Sequence, residues 1–145
     1  MTLEGASVIH ASRHYERAGL RPQAFRAAMT GAREASRISA RQEAYELYQR
    51  AITNMPAGLP VGEQAELYER FADSAGAIER NADCATAATR ARELYLEAGR
   101  PLDAAGMLVS LSAVLSRDGA PSDELRAYVD RALDEIADLR ATPAE

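Results

Sequence analysis

At 145 residues the chain is one domain by length and long enough to bury a core. It is 47% hydrophobic and 27% charged, but alanine dominates the apolar set, aromatics are 6% and tryptophan is absent, a bias toward helix over strand. Its net charge of −5 argues against bulk nucleic-acid binding, and all 17 basic residues are arginine, so no lysine exists to serve a phosphate-binding P-loop, a Schiff base or a general base.

The N-terminal stretch MTLEGASVIHASR lacks a charged segment leading into an apolar core, so no signal peptide is read there. A first helix is expected over 4–18. Its His10 and His14 are spaced to turn two imidazoles to one face, but HASRH offers no glutamate and no third ligand. We therefore expect no metal there, with one histidine partly buried and the other exposed. AGLRP at 18–22 sets Gly19 just past that helix and Pro22 in the first turn of a second, over 22–37. SARQ at 39–42 reads as a capping box, Ser39 facing Gln42, opening a third helix over 40–54. NMPAGLP at 54–60 is a loop, and a fourth helix follows over 62–77. AGAIERNAD at 75–83 is a softer turn with Asn81 as N-cap of a fifth helix, over 82–98. Cys84 lies on that helix and reads as a buried, inert thiol. A lone cysteine has no internal disulfide partner, which suits the reduced cytoplasm. AGRP at 98–101 and RDGAP at 117–121 repeat the glycine-then-proline signal and bound a sixth helix over 101–116 and a seventh over 121–139. The terminal ATPAE reads as a frayed tail, giving a single domain over 1–140 and a tail over 141–145.

No segment alternates with period two long enough for a strand, and no apolar run approaches the roughly 18 residues needed to span a bilayer. The fold class is all-α, with successive helices as antiparallel neighbours.

One pentapeptide recurs: ELYQR at 46–50, ELYER at 66–70 and ELYLE at 93–97, with RHYER at 13–17 as a relative. In each helix a large ring sits three or four residues from alanine. Examples are Ala44, Tyr48 and Ala51; Tyr68, Ala72 and Ala75; and Ala91, Tyr95 and Ala98. A knob beside a hollow lets helices approach closely, so these tyrosines are packing residues. Tyr48, Tyr68, Phe71, Leu94, Tyr95 and Leu108 are the expected interior. No glycine-rich phosphate loop, G-x-S-x-G or His-Asp-Ser set is visible, so neither catalysis nor a cofactor is expected.

Helix pairs with this spacing resemble tetratricopeptide repeats. On a 34-residue frame, residues 25–58 place Ala32, Ala44, Tyr48, Ala51 and Pro56 at repeat positions. Residues 65–98 do so with Tyr68, Phe71, Ala72, Cys84, Ala88 and Ala91, and a third frame starts at 99. The resemblance implies an antiparallel helix-pair solenoid of about seven helices whose first helix is half of a repeat. The wording ASRHYERAGLRPQAFRAAMTGAREASRISARQEAYELYQRAI resembles the helical-repeat region of large bacterial LuxR-type (MalT-like) ATPase transcriptional regulators and related signalling ATPases. That likeness implies a segment excised from the middle of such a regulator, without its ATPase or DNA-reading parts. The alternative is a stand-alone adaptor binding a peptide or protein.

The repeat resemblance also implies a concave groove lined by Arg26, Met29, Arg33, Ser36 and Arg37, then Glu66, Glu69 and Asp73, then Asp103 and Met107. The expected partner is a protein or peptide, not nucleic acid or membrane. The arginine and acidic rows lie on neighbouring first helices. They would either neutralise one another as a ladder, or leave the arginines free for an acidic peptide or phosphate-bearing ligand. A segment cut from a longer stack would expose Leu3, Val8 and Ile9 at one end, and Tyr128, Val129, Leu133 and Ile136 at the other. One end would then pair with a second copy as a homodimer.

Overall fold

The structure, a computed structural model, describes the backbone of residues 3–141 and the side chains of residues 8–141. Seven helices follow one another: α1 (Leu3–Arg17), α2 (Arg21–Arg37), α3 (Arg41–Thr53), α4 (Val61–Ala77), α5 (Asn81–Glu97), α6 (Pro101–Arg117) and α7 (Ser122–Ala141). Every limit falls within two residues of the sequence reading, and the described residues form no strand. The chain is all-α. No described helix is long and apolar enough to cross a membrane. Of the expected tail, Ala141 is the last residue of α7, and 142–145 lie outside the described residues.

The joints explain the regularity. After each of five helices one residue turns left-handed: Gly19 (φ 73°), Ser39 (58°), Glu79 (61°), Gly99 (71°) and Gly119 (83°). At each, the next N–H reaches five residues back, as in Leu20 N–H to Tyr15 O (2.8 Å) and Arg100 N–H to Tyr95 O (2.8 Å). This is the Schellman closure, which satisfies carbonyls the helix end leaves open. Two sequence expectations are corrected here. Ser39 is the left-handed residue that ends α2, not the cap of α3. The N-cap is Ala40, and Gln42 donates to Glu46 instead (3.2 Å). Likewise Arg80, not Asn81, precedes α5, and the Asn81 amide donates across to Asp118 (2.8 Å). In a three-residue joint the left-handed residue stands directly before the N-cap, which leaves the cap position to Ala40 and Arg80, neither of which makes a side-chain cap hydrogen bond.

Helix starts recur every twenty residues, at Arg21, Arg41, Val61, Asn81 and Pro101. The helix pair therefore repeats every forty residues, and the 34-residue frame is too short. The frames starting at 25 and 65 are in step, whereas the third should begin at 105.

Consecutive helices pack along their lengths and antiparallel. Arg21, opening α2, donates to the Thr53 carbonyl at the end of α3 (2.9 Å). Alternate helices are tied by side chains: Arg50 to Glu16 (α3 to α1, 2.6 Å), Tyr45 to Asp83 (α3 to α5, 2.8 Å) and Arg92 to Glu135 (α5 to α7, 2.6 Å). On the even side the Arg117 guanidinium lies against Gly76 of α4.

The interior is alanine with a few large groups, as the pentapeptides suggested. Tyr48, Phe71, Leu94, Tyr95 and Leu108 are buried, and Tyr68 is half-buried between the two core clusters. Tyr45, in the same stretch, stacks on Phe71 with ring centroids 5.3 Å apart. Cys84 is buried, and burial pushes its thiol pKa up. Ile9 is also buried, and Val8 packs so closely on α2 that a methyl at Gly31 would overlap it. The N-terminal end is thus not the open face expected of Val8 and Ile9, because α1 lays them between α2 and α3. Leu3 lies outside the residues whose side chains are described.

Candidate functional site: a groove between α2 and α4

The loop at 54–60 replaces the tight joint between α3 and α4 and lends Leu59 to the space between α2 and α4. Between them lies a groove of about 690 Å³. Its apolar surface comes from Phe25 and Met29 of α2, Tyr48 of α3, Leu59 of the loop and Leu67 of α4. Its cationic groups are Arg26 and Arg33 of α2 and Arg70 of α4, with Glu63 and Glu66 on the α4 side. Position makes this mixture. Residues 25, 29 and 36 recur at helical spacing along α2, and Arg26 and Arg33 run beside them.

Of the expected groove residues, Arg26, Met29, Arg33, Ser36 and Glu66 come together here. The others go elsewhere. Arg37 pairs within its own helix with Glu34 (2.6 Å), and that hydrogen bond lowers the Glu34 pKa. Glu69 accepts from the Tyr95 hydroxyl (2.6 Å), and Asp103 pairs with Arg100 (2.9 Å). Asp73 is exposed on α4 and does not line the groove. Met107 is a core residue at 6% exposure, a correction that follows from the repeat length. One forty-residue step from Arg26, Met29 and Arg33 gives Glu66, Glu69 and Asp73, and a second gives Gly106, Val109 and Ala113. All three of these last residues are exposed.

The charge ladder does not form. Neither Arg26 nor Arg33 makes an ion pair with a described residue, and Glu66 is instead held by Arg100 (2.7 Å). Arg100 lies over the Tyr95 ring (4.9 Å), and its pKa is raised by its hydrogen bonds to Glu66 and then Asp103. The acidic row thus turns toward α5 and α6, and the arginine row is left facing the groove. Arg70 likewise makes no ion pair with a described residue, although its charge acts on Asp73 one turn along α4.

A second concavity, of about 470 Å³, lies on the odd-numbered side against Arg13, Glu16, Tyr45, Arg50 and Arg80. Most of its polar groups are satisfied internally. Arg50 pairs with Glu16, Tyr45 donates to Asp83, and Arg80 lies 5.7 Å from the Tyr45 ring. His10 and His14 are both exposed, where one partly buried ring was expected, because both fall on the side of α1 turned from α2. Among the described residues no group of three or more His, Cys, Asp or Glu is placed to hold a metal.

Sequence reasoning missed Phe25, Leu59 and Arg70. Phe25 and Arg70 carried a legible signal, each one residue from a position the repeat assigned to the groove. Leu59 carried none, since its place depends on the path of an irregular loop. No protein-family model, curated protein or solved structure matches the chain.

Proposed function

We propose that the chain is a non-catalytic, cytoplasmic helical-repeat segment that binds a protein or peptide partner in the groove between α2 and α4. In this reading it is the interaction or sensing arm of a LuxR-type ATPase regulator, a tetratricopeptide-like solenoid that lends a surface to chemistry done elsewhere. One observation carries the binding reading: Arg26 and Arg33, which pair with no carboxylate among the described residues, stand beside an apolar floor formed by Phe25, Met29 and Leu59. Guanidinium groups left without a partner favour carboxylates, and the floor favours an apolar anchor beside them.

The test is titration with a synthetic peptide holding a leucine between aspartates, against the same peptide with asparagines. Binding of the aspartate form alone, lost in Arg26→Ala/Arg33→Ala with an unchanged thermal melt, supports the reading. Equal binding of both peptides, or none, rejects it. The parent protein is tested separately: a genomic reading frame running into an upstream Gly-x-x-x-x-Gly-Lys loop supports the regulator, and one without it supports the stand-alone adaptor.

A further inference from the structure

We propose that the occupant of the groove is helix α7 of a second copy of this chain. The inference rests on the binding role given to the groove above and names its partner. On α7, Val129 (36% exposed) and Leu133 (59%) lie one turn apart and open to solvent, an apolar stripe flanked by charged residues. Asp130 and Asp134 run directly beside them, and neither makes an ion pair with a described residue. The helix carries six acidic residues against three arginines.

The groove offers the complement. Phe25 and Met29 of α2 are one turn apart, as Val129 and Leu133 are, and Arg26 and Arg33 run beside them as the aspartates do. Arg26 and Arg33 are two turns apart, about 10.5 Å along the axis, and Asp123 and Asp130 have the same separation. Arg70 adds a third cation from the opposite wall. Glu66 is already neutralised by Arg100, and of the groove's described carboxylates this leaves Glu63 without an ion pair to a described residue. Each copy's α7 is fixed on its own α6 and tied to α5 through Arg92 and Glu135, and none of its described residues lines its own groove. The α7 that fills a groove therefore belongs to another molecule. Two copies that exchange these contacts about a two-fold axis fill both grooves at once. The contact is an amphipathic helix in a groove, steered by charge and weakened by salt.

The experiment uses the full chain and a charge exchange. One variant reverses the groove (Arg26→Glu/Arg33→Glu) and the other reverses the two helix carboxylates of matching separation (Asp123→Arg/Asp130→Arg). Light scattering across micromolar to millimolar concentrations should show wild-type dimers that dissociate with added salt. Each variant alone should stay monomeric, its dissociation constant raised at least about tenfold per reversed pair. An equimolar mixture should recover a dimer of one copy of each, since every reversed groove then meets a reversed helix. Circular dichroism checks that both variants fold. Leu133→Ser, at a site too exposed to unfold the chain, should also weaken the wild-type dimer. A wild-type monomer throughout, association unaffected by either reversal, or a mixture that stays monomeric overturns the proposal. The aspartate peptide separates the two claims. A monomer that binds it loses only this inference, and a monomer that ignores it loses the groove reading as well.

Discussion

Tyr48 does two jobs with one side chain. Its ring is 3% exposed among alanines of α2 and α3, and its edge reaches the groove, where the Ser36 hydroxyl donates to its oxygen at 3.5 Å. Tyr48→Ala should cost about 3–5 kcal/mol, the range for large aromatic truncations, read as a lower unfolding midpoint in denaturant. Tyr48→Phe should cost far less, because that hydrogen bond is long. Tyr95 differs: it is buried, and its hydroxyl bonds Glu69 at 2.6 Å, so burial first and that bond second raise its pKa. The pentapeptide names both tyrosines alike. Only their neighbours separate a ring that borders a groove from one held inside the core, and those neighbours come from other helices.

At the scale of the element, the joints are where composition and geometry disagree. Three of the five left-handed residues are glycine, and two are not. A side chain in that conformation costs about 1–2 kcal/mol, against which glycine's greater unfolded freedom must be set. Ser39→Gly and Glu79→Gly should each raise the thermal midpoint by a few degrees, and Gly99→Ala should lower it; a differential melt of the three variants checks this. The same joints show what the sequence made legible. Glycine followed by proline marks Gly19 and Gly119 plainly, so helix limits near them were read closely. Ser39 and Asn81 resemble helix caps in any single window, and the true arrangement needs the twenty-residue period seen across several joints.

For the molecule as a whole, the ion pair that joins its C-terminal pairs is Arg92 with Glu135. One guanidinium nitrogen donates to the Ala104 carbonyl (2.9 Å) and both engage the carboxylate, so α5, α6 and α7 meet at a single side chain. The hydrogen bond to Arg92 holds the Glu135 pKa below its ordinary value. A carboxylate so depressed stabilises the fold fully above the ordinary range near 4.5, and that contribution is lost as pH falls through the lowered value. Glu135→Gln should therefore cost about 1–3 kcal/mol at neutral pH and flatten the acid limb of the stability curve, measured by denaturant melts at stepped pH. This pair was not legible in the sequence, since its partners lie 43 residues apart on helices that are not consecutive. The all-α class and the number of helices were legible because they rest on local periodicity and punctuation. The groove was half legible: α2 was in the right step, but a repeat taken six residues too short displaced Asp103 and Met107 at the far end.

The twenty-residue step sets a parity rule for how such a chain can change length. Odd helices tie to odd, and α4 to α6, so inserting or deleting forty residues returns every later helix to its own row. A change of twenty sends each of them to the opposite row, where alanine faces shaped for close approach would meet water and charged faces would meet the core. Growth by whole pairs is then the change in length that leaves later helices unaltered, and a single added helix is tolerated only at an end, where nothing follows to be displaced.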